Sequence, residues 1–118
     1  MLEPKNAGYW NSRCWARAMA GQLEQALKDC DESLRLKPDA ADTLGSRGLA
    51  NLKSRSFDKA AADYDAALKL NPKLAASLYG RGIAKQKKGD IAGGEADLVA
   101  AKAIDSKIAE TFAGYGVK

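Results

Sequence analysis

The residues that could carry chemistry in this chain are two cysteines and a set of closely spaced acidic residues. Cys14 and Cys30 could serve as a nucleophile, as metal ligands or as a disulfide, but the chain contains no histidine. Without histidine, neither a Cys–His nucleophile pair nor an ordinary zinc site can form within these 118 residues. The chain also lacks a glycine-rich phosphate loop and a nucleophile elbow. We therefore predict no catalytic residue, no cofactor site and no metal site, and we expect a protein that is not an enzyme.

The acidic residues form pairs that recur along the chain. Asp29 is followed two residues later by Asp31, and Asp63 is followed in the same way by Asp65. A pair that returns at a fixed interval is a repeated structural feature, whereas an acid–base site occurs once. We interpret these carboxylates as solvated helix faces.

The acidic pairs recur because the whole chain repeats itself every 34 residues. Five sets of positions show the period most clearly: Trp10, Leu44, Leu78 and Phe112; Arg13, Arg47 and Arg81; Ala16, Ala50 and Ala84; Asp29, Asp63 and Asp97; and Pro4, Pro38 and Pro72. A period of this length is typical of stacked supersecondary units, each of which packs only on its neighbours. The function of such a protein depends on its surface.

The repeated positions resemble those of the tetratricopeptide repeat, whose unit is a helix-turn-helix. The resemblance is carried by a large residue at the fourth position, a small residue at the eighth, alanine at the twentieth, an aromatic residue at the twenty-fourth and proline at the thirty-second. Examples of these are Trp10, Gly48, Ala26, Ala60, Tyr64, Pro38 and Pro72. The resemblance implies an all-α, right-handed superhelical solenoid in a single domain, 1–118. Its parts are three units, 7–40, 41–74 and 75–108, and a C-terminal capping helix, 109–118.

Several residues depart from the repeat pattern. Gly94 replaces the expected alanine and lies beside Gly93, and two adjacent glycines weaken a helix by roughly 1 kcal/mol each. We therefore expect the third unit to be the least regular. Gly21 and Gly89 occupy a position that suits a left-handed turn, where the second unit has Arg55, so we expect backbone strain at that arginine.

The first residues of the chain fit the end of a preceding repeat. Leu2 and Pro4 occupy the positions that close each unit, so we expect residues 1–6 to be the remnant of one. This suggests a fragment or processed form of a longer protein, whose missing segment could have held a signal peptide. The compartment therefore stays open between the cytoplasm and an exported or periplasmic location.

The compartment affects the interpretation of the cysteines. In a helix-turn-helix unit, Cys14 and Cys30 lie on facing helices of the first pair. Two readings stay open: a disulfide, if the protein is exported, or two reduced, buried, small side chains.

The recurring arginines and aspartates predict structural ion pairs that fix the register between helices. Two arrangements fit the spacing, one within each unit and one between each aspartate and the arginine of the following unit. The pairs within units are Arg13 with Asp29, Arg47 with Asp63, and Arg81 with Asp97.

Basic and acidic residues are interleaved along the chain. It has 19 basic and 15 acidic side chains, a net charge of +4 and 7% aromatic residues. Recognition of phosphates needs a clustered basic face with stacking aromatics, so we expect no nucleic-acid partner. No apolar run approaches the ~20 residues that span a bilayer, so we expect no membrane insertion.

The resemblance also implies a binding groove lined by the first helix of each unit. The corresponding residues are Asn11, Trp15, Met19, Ser46, Leu49, Lys53, Tyr79, Ile83, Lys87 and Val117. Four of these share the ninth position of the unit and predict an apolar stripe: Trp15, Leu49, Ile83 and Val117. Exposed apolar patches with aromatic anchors commonly mark interaction surfaces. The alternative is that superhelical curvature or the terminal helix covers this stripe.

One tetratricopeptide subfamily binds the C-terminal carboxylate of chaperone tails with a clamp of lysine, asparagine and arginine. The clamp positions here are Asn11, Trp15, Ser46, Ala76 and Gly80, which do not form that clamp. We therefore expect an apolar or mixed peptide ligand, with Lys53 and Lys87 available to an acidic flank.

The sequence as a whole predicts a non-enzymatic module that binds another protein or peptide in its groove. A second interpretation is a structural segment that forms homo-oligomers through an exposed N-terminal edge around Tyr9 and Trp10. A third is the targeting arm of an enzyme whose catalytic domain lies outside these residues.

Overall fold

The computed structural model describes residues 5–117, which form seven α-helices. In chain order they are α1 (Ala7–Met19), α2 (Leu23–Leu36), α3 (Ala41–Lys53), α4 (Phe57–Leu70), α5 (Ala75–Lys87), α6 (Ile91–Ile104) and α7 (Ile108–Gly114). Within the described residues, no helix is both long enough and apolar enough to cross a bilayer. Leu2 and Pro4, on which the expected preceding repeat depends, lie outside the described range.

The first six helices form three hairpins that stack along one axis. Each hairpin packs its two helices against each other, and α2 and α4 then pack on the first helix of the next hairpin. The first helices α1, α3 and α5 also pack side by side. The result is an elongated body of 49 × 26 × 24 Å. This confirms the predicted all-α repeat solenoid of three helix pairs followed by a C-terminal helix.

The ends of the helices follow from local chemistry. The Asn6 side chain accepts a hydrogen bond from the Gly8 N–H at 2.8 Å, and Asp90 accepts one from the Gly93 N–H at 2.9 Å. The turns inside the hairpins contain a left-handed residue, Gly21 at φ 82° and Gly89 at φ 99°. Arg55 takes the same conformation at φ 62°, which confirms the strain predicted there because side chains disfavour this region.

The middle of the solenoid is organised around one large side chain. Tyr64 of α4 is 1% exposed, and its ring lies against two glycines, Gly48 of α3 and Gly80 of α5. A Cβ atom at Gly48 would lie 2.8 Å from the Cζ atom of Tyr64, which is closer than carbon atoms approach. The small residues therefore make room for the tyrosine to pass between the two first helices.

The third hairpin is as regular as the others, so the expectation for it is wrong. Its helices have 13 and 14 residues, as in the first and second hairpins. The reason is that Gly94 packs directly against Gly82, so that α5 and α6 approach closely. A Cβ atom at Gly94 would lie 2.6 Å from the carbonyl oxygen of Gly82.

Replacing Gly94 by alanine should therefore destabilise the protein, although alanine is the better helix former. We expect Gly94→Ala to lower the free energy of unfolding by about 1 to 2 kcal/mol, because overpacking outweighs the gain in helix propensity. Gly45→Ala is the matched control, since a Cβ atom at this helical glycine would meet nothing within 4 Å. It should raise stability by up to about 1 kcal/mol in the same urea titration. If both substitutions raise the free energy of unfolding equally, the close approach of α5 and α6 does not require a glycine at position 94.

Candidate interaction groove

The face formed by α1, α3 and α5, which we call the groove face, is occupied by the end of the chain. We call residues 108–117 the C-terminal segment. The ring of Tyr115 contacts the ring of Trp15 on α1, perpendicular to it at 5.1 Å between centroids. The ring of Phe112 lies 4.9 Å from that of Tyr79 on α5. The C-terminal segment therefore spans the groove face from the third hairpin to the first.

Three residues of the predicted apolar stripe, Trp15, Leu49 and Ile83, pack in or against the core cluster that this segment joins, and the fourth, Val117, is part of the segment itself. Leu49 is 1% exposed and Ile83 is 8% exposed, and both belong to the core cluster that includes Phe112. Trp15 and Val117 are partly buried against the same cluster. Of the two readings that the sequence left open, the structure corresponds to the one in which the terminal helix covers the stripe.

The other predicted groove residues differ in their accessibility. Asn11, Met19, Lys53 and Tyr79 are half-buried, Lys87 is exposed and Ser46 is buried. The Ser46 hydroxyl donates to the carbonyl oxygen of Asp42 at 3.1 Å, so it already has a partner within its own helix.

Two lysines lie where the C-terminal segment ends. Lys53 of α3 and Lys87 of α5 line a pocket of about 330 Å³ together with Gly116 and Val117. No acidic side chain lines this pocket. It therefore offers positive charge beside the end of a segment bound on the groove face.

Each predicted ion pair forms within its own hairpin. Asp29 accepts two hydrogen bonds from Arg13, both at 2.9 Å. Arg47 contacts Asp63 at 2.8 Å, and Arg81 contacts Asp97 at 2.8 Å. All three carboxylates are less than 10% exposed.

Sequence reasoning missed a second donor to each of these carboxylates. Four residues after the arginine, Arg17 donates to Asp29 at 2.9 Å and Asn51 donates to Asp63 at 2.9 Å. In the third hairpin, Lys85 lies 3.0 Å from Asp97. The 34-residue spacing of these three polar residues was the signal that could have revealed them.

The interpretation of the acidic pairs as solvated helix faces is wrong for Asp29 and Asp63, which are buried. Their exposed neighbours Asp31 and Asp65 each have a structural partner. Asp31 lies 3.0 Å from Arg47, and Asp65 lies 2.7 Å from Arg81, in each case one hairpin further along the chain. Their side chains are 65% and 51% exposed, so they are solvated on one side only. The contact between hairpins thus uses these aspartates, whereas the buried aspartates pair within their own hairpin.

The surrounding charges shift the pKa values of these groups. Burial alone would raise the pKa of Asp97, but the hydrogen bonds from Arg81 and Lys85 outweigh it, so that the pKa lies below its ordinary value. Hydrogen bonding to Asp97 raises the pKa of Arg81. These groups are therefore charged at neutral pH, and their arrangement is that of a structural network.

The cysteines are joined to each other. Cys14 and Cys30 form a disulfide between α1 and α2, with 5.3 Å between their Cα atoms, and both are fully buried. Among the described residues there is no other cysteine and no group of three or more side chains able to hold a metal ion.

Comparison with known proteins identifies the fold. No protein-family model and no curated protein sequence matches the chain. The TPR domain of Arabidopsis OM64 superimposes with a TM-score of 0.83 at 18% identity, over 93% of this chain and 91% of that one. The first TPR domain of Spaghetti (RPAP3), bound to the HSP90 peptide SRMEEVD, gives a TM-score of 0.81 at 16% identity, over 95% and 97% of the two chains. The chain therefore has the fold of a tetratricopeptide repeat domain.

The lowered pKa of Asp97 predicts a loss of stability in acid. A carboxylate whose pKa is lower in the folded than in the unfolded protein stabilises the fold above its unfolded pKa, about 3.9, and that contribution is lost as the pH falls. At neutral pH, Asp97→Asn should lower the free energy of unfolding by about 2 kcal/mol, because Arg81 loses its buried partner. This difference from the wild type should shrink below about pH 4. The measurement is urea unfolding from pH 7 to pH 3.

The exposed Asp39 provides the control for that experiment, because its carboxylate has none of the contacts of Asp97. Asp39→Asn should change stability by less than about 0.5 kcal/mol at every pH. If Asp97→Asn lowers the free energy of unfolding by the same amount at pH 3 as at pH 7, the lowered pKa of Asp97 is contradicted.

Proposed function

We propose that this protein is a non-enzymatic interaction module that binds a peptide on its groove face. The ligand is a segment of a partner protein with aromatic side chains spaced to reach Trp15 and Tyr79. The observation that supports the proposal is the position of the C-terminal segment. A groove face that holds one polypeptide segment through aromatic contacts has the shape and polarity to hold another.

The contacts of the C-terminal segment indicate what such a ligand needs. Phe112 and Tyr115 are three residues apart, so they lie on one side of a helical turn, and both rings face the groove. The lysines Lys53 and Lys87 lie near the end of the segment. We therefore propose a ligand with two aromatic residues at this spacing, followed by an acidic residue or a free carboxylate.

A partner must first displace the C-terminal segment. α7 has only 7 residues, and an isolated helix of that length is not stable in water, so its order depends on its contacts with the groove face. A tethered segment competes at an effective concentration of the order of millimolar. The apparent affinity of the partner is therefore its intrinsic affinity multiplied by the fraction of molecules in which the segment has left the groove face.

A chaperone C-terminal tail is not the ligand we propose. The Spaghetti domain that superimposes on this chain was solved with an HSP90 peptide, but the clamp expected for such tails is missing here. At clamp positions this chain has Trp15, which contacts Tyr115, and Ser46, which is buried. Aromatic packing therefore replaces the charged clamp in the proposed recognition.

The chain itself supplies the first test ligand. A labelled peptide of residues 107–118 should bind a Phe112→Ala, Tyr115→Ala variant at least tenfold more tightly than the wild type, because the variant lacks the internal competitor. Adding Trp15→Ala to that variant should abolish the gain. Fluorescence anisotropy measures the binding, and circular dichroism verifies that all variants keep their helices.

Glu110→Ala provides the matched control, because Glu110 is an exposed residue of α7. It should leave peptide affinity at the wild-type value. If the double variant is folded and binds the peptide no better than the wild type, the groove face is not the binding site.

Self-association is a second candidate function, favoured by the exposed apolar side chains of α6. Ile91, Val99 and Ile104 are 61%, 57% and 51% exposed. At the other end of the solenoid, Tyr9 is 45% exposed, whereas Trp10 is buried. These are large apolar side chains that a contact with a second copy would remove from water.

A concentration series in light scattering tests this candidate. If copies associate through α6, the mass of the wild type should rise with concentration, and Val99→Lys should keep the protein monomeric by placing a charge in the contact. Lys102→Ala, on an exposed residue of the same helix, should still associate. If the wild type stays monomeric at high micromolar concentration, self-association is excluded as the function.

A further inference from the structure

The connection between α6 and α7 lacks a proline that the two equivalent connections contain. Pro38 lies between α2 and α3, Pro72 lies between α4 and α5, and Ser106 occupies the same position of the third unit. A proline has no backbone N–H, and it disfavours a helical conformation of the residue before it. The prolines therefore prevent α2 and α4 from continuing into the next helix, whereas no proline separates α6 from α7.

The connection instead keeps its shape through hydrogen bonds to one residue. The Lys107 N–H donates to the side chain of Asp105 at 3.0 Å, and the Ile108 N–H donates to the carbonyl oxygen of Asp105 at 3.1 Å. Lys107 is the N-cap of α7 but provides no side-chain hydrogen bond to its first turn. In a helix that ran on from α6, the N–H groups of this turn would gain intrahelical partners. Opening the connection thus replaces the hydrogen bonds that it breaks.

A single helix formed from α6 and α7 would carry one apolar stripe. Ile104, Ile108 and Phe112 follow each other at intervals of four residues, and Tyr115 lies three residues after Phe112. Residues at this spacing share one side of a helix. Such a helix over residues 91–114 would be about 36 Å long and would carry α7 away from its own groove face.

The groove face that this opening leaves behind is complementary to the same segment. Ile108 is 3% exposed and Phe112 is 2% exposed, and both belong to the core cluster that contains Leu49 and Ile83. Taking Ile108 and Phe112 out of this cluster would transfer apolar surface to water, which is unfavourable in proportion to its area. The stripe of one open copy and the groove face of another are the surfaces that already pack together within one chain. A second copy therefore supplies every contact that the opening removes.

We propose that two copies of this chain exchange their C-terminal segments. In each copy α6 and α7 form one helix, and the C-terminal segment lies on the groove face of the other copy. The contacts of Tyr115 with Trp15 and of Phe112 with Tyr79 are then made between copies. Exchange of an identical element between protomers is a low-cost route to a dimer. The exchange rests on the proposed function in one respect, because the groove face must accept a segment from outside its own chain.

Two variants of the connection test the exchange in opposite directions. Ser106→Pro restores the missing proline and suits the present backbone, because Asp105 has φ −137° and ψ 102°. Asn71, which precedes Pro72, has nearly the same values, φ −149° and ψ 103°. Asp105→Ala removes the hydrogen bond from Lys107 and introduces a better helix former, so it favours the single helix.

Sedimentation equilibrium up to about 1 mM measures the dimer. The wild type should reach half dimer at about 1 mM, because a tethered segment competes at an effective concentration of this order. Asp105→Ala should lower this midpoint at least tenfold, and Ser106→Pro should stay monomeric throughout. Circular dichroism verifies that both variants keep their helices. A folded Asp105→Ala variant that stays monomeric, or a Ser106→Pro variant that dimerises like the wild type, would overturn the exchange.

Val99→Lys provides the control for association through the surface of α6. Val99 is 57% exposed and lies nine residues before Ile108, which places it on the opposite side of the single helix. Val99→Lys should therefore dimerise at the same midpoint as the wild type. If this substitution abolishes the dimer, the copies associate through the α6 surface and the exchange is wrong.

A mixing experiment distinguishes failure of the exchange from failure of the proposed function. The Phe112→Ala, Tyr115→Ala variant offers a groove face without a competing segment, and Trp15→Ala leaves an intact segment that its own groove face holds less firmly. An equal mixture should form a mixed dimer at a concentration at least tenfold below the wild-type midpoint. If the double variant binds the free peptide of residues 107–118 but no mixed dimer forms, the exchange is wrong and the proposed function stands. If it binds neither, both fail.

Discussion

The register between hairpins depends on an arginine that contacts two carboxylates at once. Arg47 contacts Asp63 in its own hairpin and Asp31 in the preceding one, and Arg81 repeats the arrangement with Asp97 and Asp65. Partly buried ion pairs contribute little net stability, but removing one partner leaves an uncompensated charge, so they disfavour other registers. This register places α1, α3 and α5 side by side, and without it there would be no groove face for a segment to bind.

The same contact explains why the C-terminal segment leaves the repeat pattern. At the next step of the repeat, the positions of the exposed aspartate and the arginine are occupied by Val99 and Tyr115. The pair that would hold a fourth first helix against α6 is therefore missing. Tyr115 instead contacts Trp15, and Val99 stays 57% exposed. α7 ends at Gly114, and Gly116 takes a left-handed conformation at φ 85°, so the helix does not continue as a regular repeat.

The sequence predicted the hairpins and the main ion pairs that the repeat encodes, and it missed the second donors to those pairs and the contacts that occur only once. The 34-residue period was sufficient for the three hairpins, because each repeated residue makes the same short-range contacts in every unit. The regularity of the third hairpin was missed, since a propensity scale counts the weakness of Gly94 in a helix and not the contact that its small size allows. The position of the C-terminal segment could not be read from the period either. Residues 109–118 fit the start of a fourth unit, but the contact of Tyr115 with Trp15 joins residues 100 positions apart and follows from the shape of the assembled groove face.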